Sequence, residues 1–324
     1  MRFARKWTTC RVHAVRDLTP AIREIVLRPE QSGVENYAPG SHVNVGVLID
    51  GRPDTRSYSL VGEGCPDGYR IAVRRAPDSR GGSLYMWSLQ EGARIEVSSP
   101  ASHFEIDWSR QSHCLIAGGI GITPITGIAS ALMRRKADVE LHYAVKSRRD
   151  AALLDELSDL LAERLIVHAG DEGHRLDLDA TFGRLAADSQ AIVCGPMRLL
   201  DAARRSWASA GRAAADLRFE TFGSSGLLPT ESFRVRIDNR EITVPDNRSM
   251  LDALNEAGFE VMSDCQRGEC GVCAIDVVDV DGRIDHRDVF FSDHQKQANG
   301  KICPCVSRAV GVVTVNTLYR EDAR

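Results

Sequence analysis

Short runs of alternating apolar and polar residues recur along the first hundred positions of the chain. Examples lie at 24–27, 42–49, 69–73 and 94–97, and turns rich in Gly, Pro and Asp separate them. Alternation with a period of two indicates strands with one buried face, and closely spaced turns favour antiparallel pairing. The pattern therefore predicts an antiparallel β-barrel domain over residues 1–107.

After Trp108 the pattern changes to largely apolar runs that alternate with helical stretches. The apolar runs occupy residues 113–117, 139–145, 165–168 and 191–194. Such runs predict strands of βαβ units, and ligands of these units bind at the carboxyl ends of the strands. Residues 108–223 are therefore predicted to form an α/β domain around a parallel sheet.

The last third of the chain shows a third pattern. Residues 224–232 are rich in Gly, Ser and Pro and predict a short linker. From residue 233 alternating apolar positions predict a hairpin, Ser249 can cap a following helix, and a terminal strand is expected at 312–318. With the cysteine loop between them, these elements predict an α+β β-grasp domain over residues 233–324. The chain is thus expected to be multidomain.

Composition and charge exclude some classes of protein. The 324 residues are 43% hydrophobic and 27% charged, which is typical of globular proteins, and a net charge of −4 gives no broad case for nucleic-acid binding. No segment approaches the roughly 18–20 apolar residues of a membrane-spanning helix, and the first residues do not resemble a secretion signal. A cytoplasmic protein without membrane attachment is expected. The acidic residues at 276, 279, 281 and 285 predict a solvated face, with a docking surface for a partner as the alternative.

Five cysteines near the C-terminal end carry the most specific chemistry. They are Cys265, Cys270, Cys273, Cys303 and Cys305. Three cysteines at C-x4-C-x2-C with a distant fourth have the ligand spacing of a plant-type [2Fe-2S] cluster, and the glycines at 268 and 271 permit the positive φ angles that such a loop requires. Zinc sites instead favour two matched short pairs. A structural zinc site and ordinary buried thiols are the alternatives.

Two clusters in the first third are candidates for flavin binding. The first contains Arg56, Tyr58 and Ser59, which offer a cation for a phosphate, a ring for an isoalloxazine and a hydroxyl for a flavin heteroatom. The second reads Arg80-Gly81-Gly82-Ser83 and precedes a run of helical composition, so that its backbone N–H groups can bind an anion. Each cluster taken alone is equally consistent with an ordinary strand or turn.

Two glycine motifs in the middle third are candidates for nicotinamide binding. The first, residues 118–124, reads GGIGITP and departs from G-x-G-x-x-G because Thr123 occupies the place of the third glycine. Its glycines admit a pyrophosphate close to the backbone, Thr123 can donate a hydroxyl, and Pro124 suits the first helical turn. The second motif begins at Cys194 and reads CGPM. The alternative for Cys194 is a small buried hydrophobe.

Taken together, these motifs resemble the phthalate dioxygenase reductase family of the ferredoxin reductase superfamily. The resemblance extends through 285–288 (DHRD) and 305–309 (CVSRA). It implies FMN rather than FAD, and it selects Cys305, directly before the Ser-Arg run, as the fourth ligand. The implied cluster ligands are Cys265, Cys270, Cys273 and Cys305. Cys303 would then be an extra thiol near the cluster.

The resemblance also implies roles for individual residues. The isoalloxazine and ribityl chain would contact Arg56, Tyr58 and Ser59, and the phosphate would lie near Arg80, Gly81, Gly82 and Ser83. The nicotinamide nucleotide would contact Gly118, Gly119, Gly121, Thr123, Pro124, Cys194, Gly195 and Pro196. Ser59, Cys194 and Phe222 are the candidate catalytic residues, with Phe222 covering the flavin until nicotinamide displaces it. Its alternative is a core aromatic.

Recognition of the adenosine ribose is expected after the second or third parallel strand. Candidates are residues 146–149 (KSRR) and 170–172 (GDE). An acidic residue favours the free 2′-hydroxyl of NADH, whereas an arginine accepts the 2′-phosphate of NADPH. The family generally uses NADH, so Asp171 is the predicted ribose ligand.

The function implied is electron transfer from NADH to a partner. NADH would deliver a hydride to FMN, and single electrons would pass through the [2Fe-2S] cluster to a Rieske-type non-haem iron oxygenase. The reductase is expected to be a monomer. Two alternatives are a ferredoxin-type carrier without flavin reductase turnover and a redox sensor whose cysteines form a reversible disulfide.

Overall fold

A computed structural model describes residues 6–64, 67–76, 79, 81–102, 104, 106–222, 231–246 and 248–316. The chain divides into two compact units, Met1–Glu220 and Thr221–Arg324. Arg80 and residues 223–230 of the predicted linker region lie outside the described residues. No helix in the described part of the chain has the length and apolar character needed to cross a membrane.

The first unit opens with a six-stranded antiparallel sheet. Its elements are β1 (Trp7–Thr19), β2 (Ile22–Pro29), β3 (His42–Ile49), β4 (Arg52–Ser59), β5 (Tyr69–Arg74), α1 (Gly82–Ser88) and β6 (Arg94–Ser98). The strand order is β4-β3-β6-β1-β2-β5. An antiparallel bridge between Leu60 and Ile71 connects the two ends of the sheet, so the sheet curls around a core of buried aliphatic side chains. The predicted barrel architecture is confirmed as a curled half-barrel.

The same unit continues with a five-stranded parallel sheet. Its elements are β7 (Ser112–Gly118), α2 (Ile122–Arg134), β8 (Asp138–Val145), α3 (Leu154–Leu161), β9 (Leu165–Ala169), α4 (Leu178–Arg184), β10 (Gln190–Cys194), α5 (Met197–Ser209) and β11 (Leu217–Glu220). The order β11-β10-β7-β8-β9 reverses between β7 and β10. In open α/β sheets that reversal is the place where ligands bind. The predicted α/β domain is confirmed.

The two sheets of the first unit pack closely at one point. A Cβ added at Gly127 of α2 would lie 2.4 Å from the carbonyl oxygen of Gly62, so only glycine permits this approach. Beside it, Arg70 of β5 pairs with Glu24 in its own sheet and with Glu156 of α3, each at 2.8 Å. These contacts fix the parallel sheet against the half-barrel.

The second unit is a β-grasp fold. Its elements are β12 (Phe233–Ile237), β13 (Arg240–Val244), α6 (Met250–Glu256), β14 (Ile275–Asp285), α7 (Asp293–Ala298), β15 (Lys301–Ile302) and β16 (Arg308–Asn316). The order is β13-β12-β16-β14-β15, and β12 runs parallel to β16. The predicted cap of α6 is present as a capping box between Ser249 and Asp252. The hairpin, helix and long terminal strand confirm the predicted α+β domain.

Candidate redox site

The two predicted nicotinamide motifs lie in direct contact at the carboxyl edge of the parallel sheet. The register pairs Ala117 at the end of β7 with Cys194 at the end of β10. A Cβ at Gly121 would lie 2.2 Å from the carbonyl oxygen of Cys194, and one at Gly118 would lie 3.4 Å from the Cα of Gly195. Neither position has room for a side chain, whereas a Cβ at Gly119 would meet nothing within 4 Å. The two loops therefore meet through glycine backbone at the switch point, where ligands of such sheets bind.

Thr123 lies within the first glycine turn. The side chain is buried, and its hydroxyl donates to the carbonyl of Ile120 at 3.0 Å. The hydroxyl therefore closes the glycine turn, and its predicted contact with the nucleotide stays a prediction. Pro124 is buried in the first turn of α2, which begins at Ile122.

The two predicted flavin clusters also meet. Arg56 on β4 runs across Gly82 at the start of α1, where an added Cβ would lie 2.6 Å from the Nε of Arg56. Gly81 has a φ of 90°, which turns the chain into that helix. Arg56 also pairs with Asp54 at 2.8 Å and is one quarter exposed. A cation and a glycine turn thus lie side by side at one edge of the half-barrel.

Polar atoms around this edge differ in their hydrogen bonding. Ser59 at the end of β4 is buried, and among the described residues its Oγ has no hydrogen-bond partner. A buried hydroxyl without a partner is costly, so the position fits a ligand atom. Burial raises the pKa of the neighbouring Tyr58, which keeps that phenol protonated. Ser83 instead bonds within its own loop, since its Oγ donates to Ser79 Oγ at 2.8 Å.

The two candidate ribose segments come together beyond the ends of β8 and β9. The amide of Asp171 donates to the carbonyl of Lys146 at 3.0 Å. Arg148 forms a two-pronged ion pair with Glu172, at 2.8 and 3.0 Å. This guanidinium lowers the pKa of Glu172. One of the two arginines of the first candidate segment is therefore bound to a carboxylate of the second.

In the cysteine loop of the second unit, backbone amides donate hydrogen bonds to a cysteine sulfur. The amides of Arg267 and Cys270 both donate to the Sγ of Cys265 at 3.4 Å. Gly268 and Gly271 have φ values of 77° and 70°, as predicted for the loop. Amide donors stabilise the negative charge of thiolate ligands, so this end of the loop fits an iron–sulfur cluster.

The remaining cysteines gather on the other side of the loop. The Sγ atoms of Cys273 and Cys305 are 3.2 Å apart. The neighbouring thiols, that of Cys303 first and that of Cys305 second, lower the pKa of Cys273. A deprotonated thiol is the form that binds metal. Among the described residues no three or more His, Cys, Asp or Glu side chains are grouped to hold a metal ion; a two-iron cluster takes its four thiolates shared between two irons.

A buried network of hydrogen bonds stabilises the cysteine loop. Asp288 accepts hydrogen bonds from Ser307 Oγ at 3.1 Å and from the amide of Phe291 at 2.9 Å. The amide of Val289 donates to the carbonyl of Gly268 at 2.9 Å, which ties the loop to the same segment. The DHRD and CVSRA runs marked a resemblance in the sequence; in the structure they hold the cluster loop in place.

Phe222, the residue predicted to cover the flavin, is half-buried. The preceding residue is Thr221, whose amide donates to Glu269 at 3.0 Å. The predicted place of Phe222 over the flavin stays a prediction.

Asp285, expected on a solvated face with the other acids of β14, is instead buried and pairs with Arg287 at 2.8 Å. The other three acidic residues of that run are exposed as predicted.

Comparison with known families supports both nucleotide and cluster chemistry. Residues 233–310 match a 2Fe-2S iron-sulfur cluster binding domain. Residues 115–205 match an oxidoreductase NAD-binding domain. The first match contains all five clustered cysteines, and the second contains both glycine motifs of the parallel sheet.

Full-length relatives share the whole arrangement. The chain is 36% identical to the heme-dependent oxidative N-demethylase beta subunit of Ectopseudomonas mendocina, over 93% of this chain and 96% of that protein. It is 32% identical to the carnitine monooxygenase reductase subunit of Acinetobacter pittii, over 91% and 97%. The chain belongs to the phthalate dioxygenase reductase family.

Solved structures agree with this family assignment. The structure of phthalate dioxygenase reductase, described as modular for electron transfer from pyridine nucleotides to [2Fe-2S], superposes with a TM-score of 0.75 at 27% identity. It covers 96% of this chain and 98% of its own. CYP116B46 from Tepidiphilus thermophilus matches with a TM-score of 0.68 at 33% identity, and this chain spans 42% of its length.

Membership of the phthalate dioxygenase reductase family establishes the class of reaction. The protein is an NADH-dependent oxidoreductase whose cofactors are FMN and a [2Fe-2S] cluster. It transfers electrons from NADH by way of the cluster. The described donors fit these groups: an unpartnered serine and a guanidinium at the flavin edge, glycine backbone at the switch point, and clustered thiols in the second unit.

Proposed function

We propose that this protein is the reductase component of an oxygenase system and delivers single electrons to a separate oxygenase component. The observation that carries the proposal is the match over more than nine tenths of both chains to subunits of oxygenase and demethylase systems. When bound, FMN accepts the two electrons of a hydride and releases them one at a time, which suits a one-electron cluster. An electron carrier without reductase turnover would have no use for the switch-point loops.

The proposed division of the chain follows its motifs. Residues 1–107 bind FMN, residues 108–223 bind NADH, residues 224–232 link the two units, and residues 233–324 hold the cluster. The position of each motif on its own sheet supports this division. Each module can then be tested by its own spectroscopic signal.

At the flavin edge, we assign Arg56 and the Gly81–Gly82 backbone to the phosphate. The contact of Arg56 with Gly82 supports this assignment, because it brings a cation beside the glycine turn at the start of α1. Ser59 supplies a hydroxyl to the isoalloxazine, and its lack of a partner among the described residues supports that role. Tyr58 lies next to it and offers the face of its ring.

At the switch point, we assign the nicotinamide nucleotide to the two touching loops. The first loop provides Gly118, Gly119, Gly121, Thr123 and Pro124, and the second provides Cys194, Gly195 and Pro196. The hydroxyl of Thr123 closes the turn of the first loop, so we assign Thr123 an indirect contribution to nucleotide binding. Cys194 is the last residue of β10. From this position its side chain would help to place the nicotinamide ring for hydride transfer.

In the second unit, we assign the cluster to Cys265, Cys270, Cys273 and Cys305. The backbone amide of Cys270 donates a hydrogen bond to the sulfur of Cys265, and the sulfur of Cys273 contacts that of Cys305. These contacts support a division of the four ligands into two pairs. Two pairs are what a two-iron cluster requires, because each iron takes two thiolates. The Asp288 and Ser307 network keeps the downstream cysteine beside the loop.

The proposed partner is a Rieske-type non-haem iron oxygenase. A second candidate is a haem oxygenase, which is favoured by two specific matches: the relative named as a heme-dependent demethylase subunit and the P450 chain that contains a similar module. Both partners accept one electron at a time from a low-potential cluster. The reductase itself is proposed to act as a monomer.

The test is anaerobic electron transfer from the NADH-reduced protein to purified oxygenases of the two classes. Reduction of the acceptor is followed by stopped-flow absorbance, with a Rieske oxygenase and a P450 as acceptors. The proposal expects rapid reduction of the Rieske centre and slow reduction of the haem. Preferential reduction of the haem would mean that the partner is a haem oxygenase rather than a Rieske oxygenase. Transfer to neither protein would contradict a role as an oxygenase reductase.

Glu172 is predicted to exclude NADPH by occupying Arg148. In Glu172→Gln the ion pair at 2.8 Å is lost, and the half-exposed guanidinium of Arg148 becomes available to a 2′-phosphate. A single charge-assisted contact of this kind is worth about 1.5–3 kcal/mol, so the kcat/KM for NADPH relative to NADH should rise about tenfold or more. The measurement is steady-state dye reduction with both nucleotides. The control is Glu163→Gln, at an exposed acid after α3; an equal ratio in both variants would refute the role of Glu172.

A further inference from the structure

Glycines determine how closely α2 of the parallel sheet approaches the half-barrel. A Cβ added at Gly127, in the second turn of α2, would lie 2.4 Å from the carbonyl oxygen of Gly62, the third residue after β4. A neighbouring contact has the same character, because a Cβ at Gly40, before β3, would lie 3.1 Å from the Cδ1 of Ile128. The contacts of Gly62 with Gly127 and of Gly40 with Ile128 together form the glycine seam.

Two ion pairs hold the glycine seam together. Arg70 of β5 donates to Glu156 of α3 at 2.8 Å, and the Arg70 side chain is only one-fifth exposed. A Cβ at Gly62 would lie 3.4 Å from the Nη1 of Arg70, so this guanidinium packs against the seam. On the other side, Glu63 pairs with Arg134, the last residue of α2. Ion pairs that are partly withdrawn from water are screened less than surface pairs.

Short ordered segments connect the seam to both proposed nucleotide sites. Ser59 at the flavin edge lies three residues before Gly62, and the amide of Val61 between them donates to a carbonyl of β5 at 2.8 Å. Gly121 of the first nicotinamide loop lies six residues before Gly127, and α2 begins directly after Gly121. Six helical residues span only about 9 Å. A displacement at the seam is therefore transmitted to the switch point.

We propose that Gly127 is a positioning residue for hydride transfer, because its lack of a side chain lets the nicotinamide loops come close enough to the flavin edge. The inference rests on the proposed assignment of FMN and NADH to these two places. Each proposed site is built from the loops of one sheet. A change at the seam therefore alters the distance between the two sites and leaves each site intact.

The experiment is anaerobic stopped-flow reduction of the flavin in the full-length holoprotein over a range of NADH concentrations. In Gly127→Ala the sheets have to separate by about 1 Å to turn the 2.4 Å approach into an ordinary contact. A misplacement of that size can cost roughly 100-fold in rate, so we expect the limiting rate to fall by about that factor. The NADH concentration at half the limiting rate should change by less than about twofold.

Two further measurements on the holoprotein do not depend on turnover. Calorimetric titration with NAD⁺ should give the same dissociation constant in Gly127→Ala and the wild type. Hydrogen–deuterium exchange should become faster at Val61 and in the middle of α2, where the added methyl group disturbs the seam. Gly183→Ala on α4 is the matched control, because its Cβ would meet nothing within 4 Å. It should change neither the limiting rate nor the exchange.

A second variant leaves the glycines of the seam untouched. Glu156→Gln weakens the ion pair with Arg70 and keeps a side chain of the same size. We expect a lower limiting rate with an unchanged affinity for NAD⁺, and a smaller effect than in Gly127→Ala. The control is Glu163→Gln, at an exposed acid after α3, which should behave as the wild type. If Gly127→Ala does not fold, an unchanged rate in Glu156→Gln overturns the inference.

Other results would also overturn the inference. An unchanged limiting rate in folded Gly127→Ala would mean that the seam does not position the two sites. Loss of FMN, or weaker binding of NAD⁺, would mean that the substitution damages a binding site rather than the distance between sites. All of these measurements are made without an oxygenase. The proposed function is tested by reduction of an oxygenase, so the failure of one is distinct from the failure of the other.

Discussion

Cys270→Ser is expected to abolish the [2Fe-2S] cluster while NADH still reduces the bound FMN. Cys270 lies in the tight part of the loop, where its amide also bonds to the sulfur of Cys265. Serine offers a hydroxyl in place of a soft thiolate, and plant-type [2Fe-2S] clusters are held by four cysteine thiolates. Electron transfer to cytochrome c or to an oxygenase should fall by at least roughly 100-fold, since a missing carrier breaks the chain of transfer.

The readouts for this variant separate the two units. Iron content and EPR report the cluster, and stopped-flow bleaching of the flavin by NADH reports the first unit. Cys10→Ala, at a buried thiol in the half-barrel, is the control and should retain both signals. Simultaneous loss of flavin reduction and cluster in Cys270→Ser would contradict the assignment of the two reactions to separate units.

Gly121→Ala should abolish most NADH-driven turnover while the cluster remains intact. The new Cβ would lie 2.2 Å from the carbonyl oxygen of Cys194, whereas real Cβ contacts essentially never fall under 3.0 Å. The two nicotinamide loops would therefore have to separate by about 1 Å, and a misplacement of that size can cost roughly 100-fold in rate. The obstacle is backbone, which cannot rotate away as a side chain can.

The control for this variant is Gly183→Ala on α4, where an added Cβ would meet nothing within 4 Å. Steady-state kinetics with NADH test the expected loss. Reduction by dithionite followed by transfer to cytochrome c tests whether the cluster still works. Normal turnover in Gly121→Ala would show that the contact between the loops does not position the nucleotide.

Local sequence patterns predict the sheets and the motifs of this protein well. The alternating residues 42–49 form β3 as predicted, and the cysteine spacing indicates the cluster loop before any contact is known. The glycines at 118 and 121 are recognisable because their neighbours in sequence already require an open turn. Such features depend on residues that lie close together along the chain.

Features that depend on burial and on the partner of a side chain are the ones that the sequence does not reveal. Asp285 resembles its exposed acidic neighbours, and only the fold shows that it is buried and paired with Arg287. The hydroxyl of Thr123 could serve a ligand or a turn, and the structure shows its hydrogen bond within the turn. The pairing of Arg148 with Glu172 joins segments from two strands, so neither segment alone indicates which nucleotide is preferred.

The most direct test of the account is the visible spectrum of the purified protein before and after anaerobic NADH, with the released flavin identified. The account predicts FMN bands together with a broad cluster absorption, and bleaching of both by NADH. Bleaching of the flavin alone, with the cluster left oxidised, would contradict electron flow from NADH to the cluster. A protein without flavin or with zinc in place of iron would contradict the cofactor assignment itself.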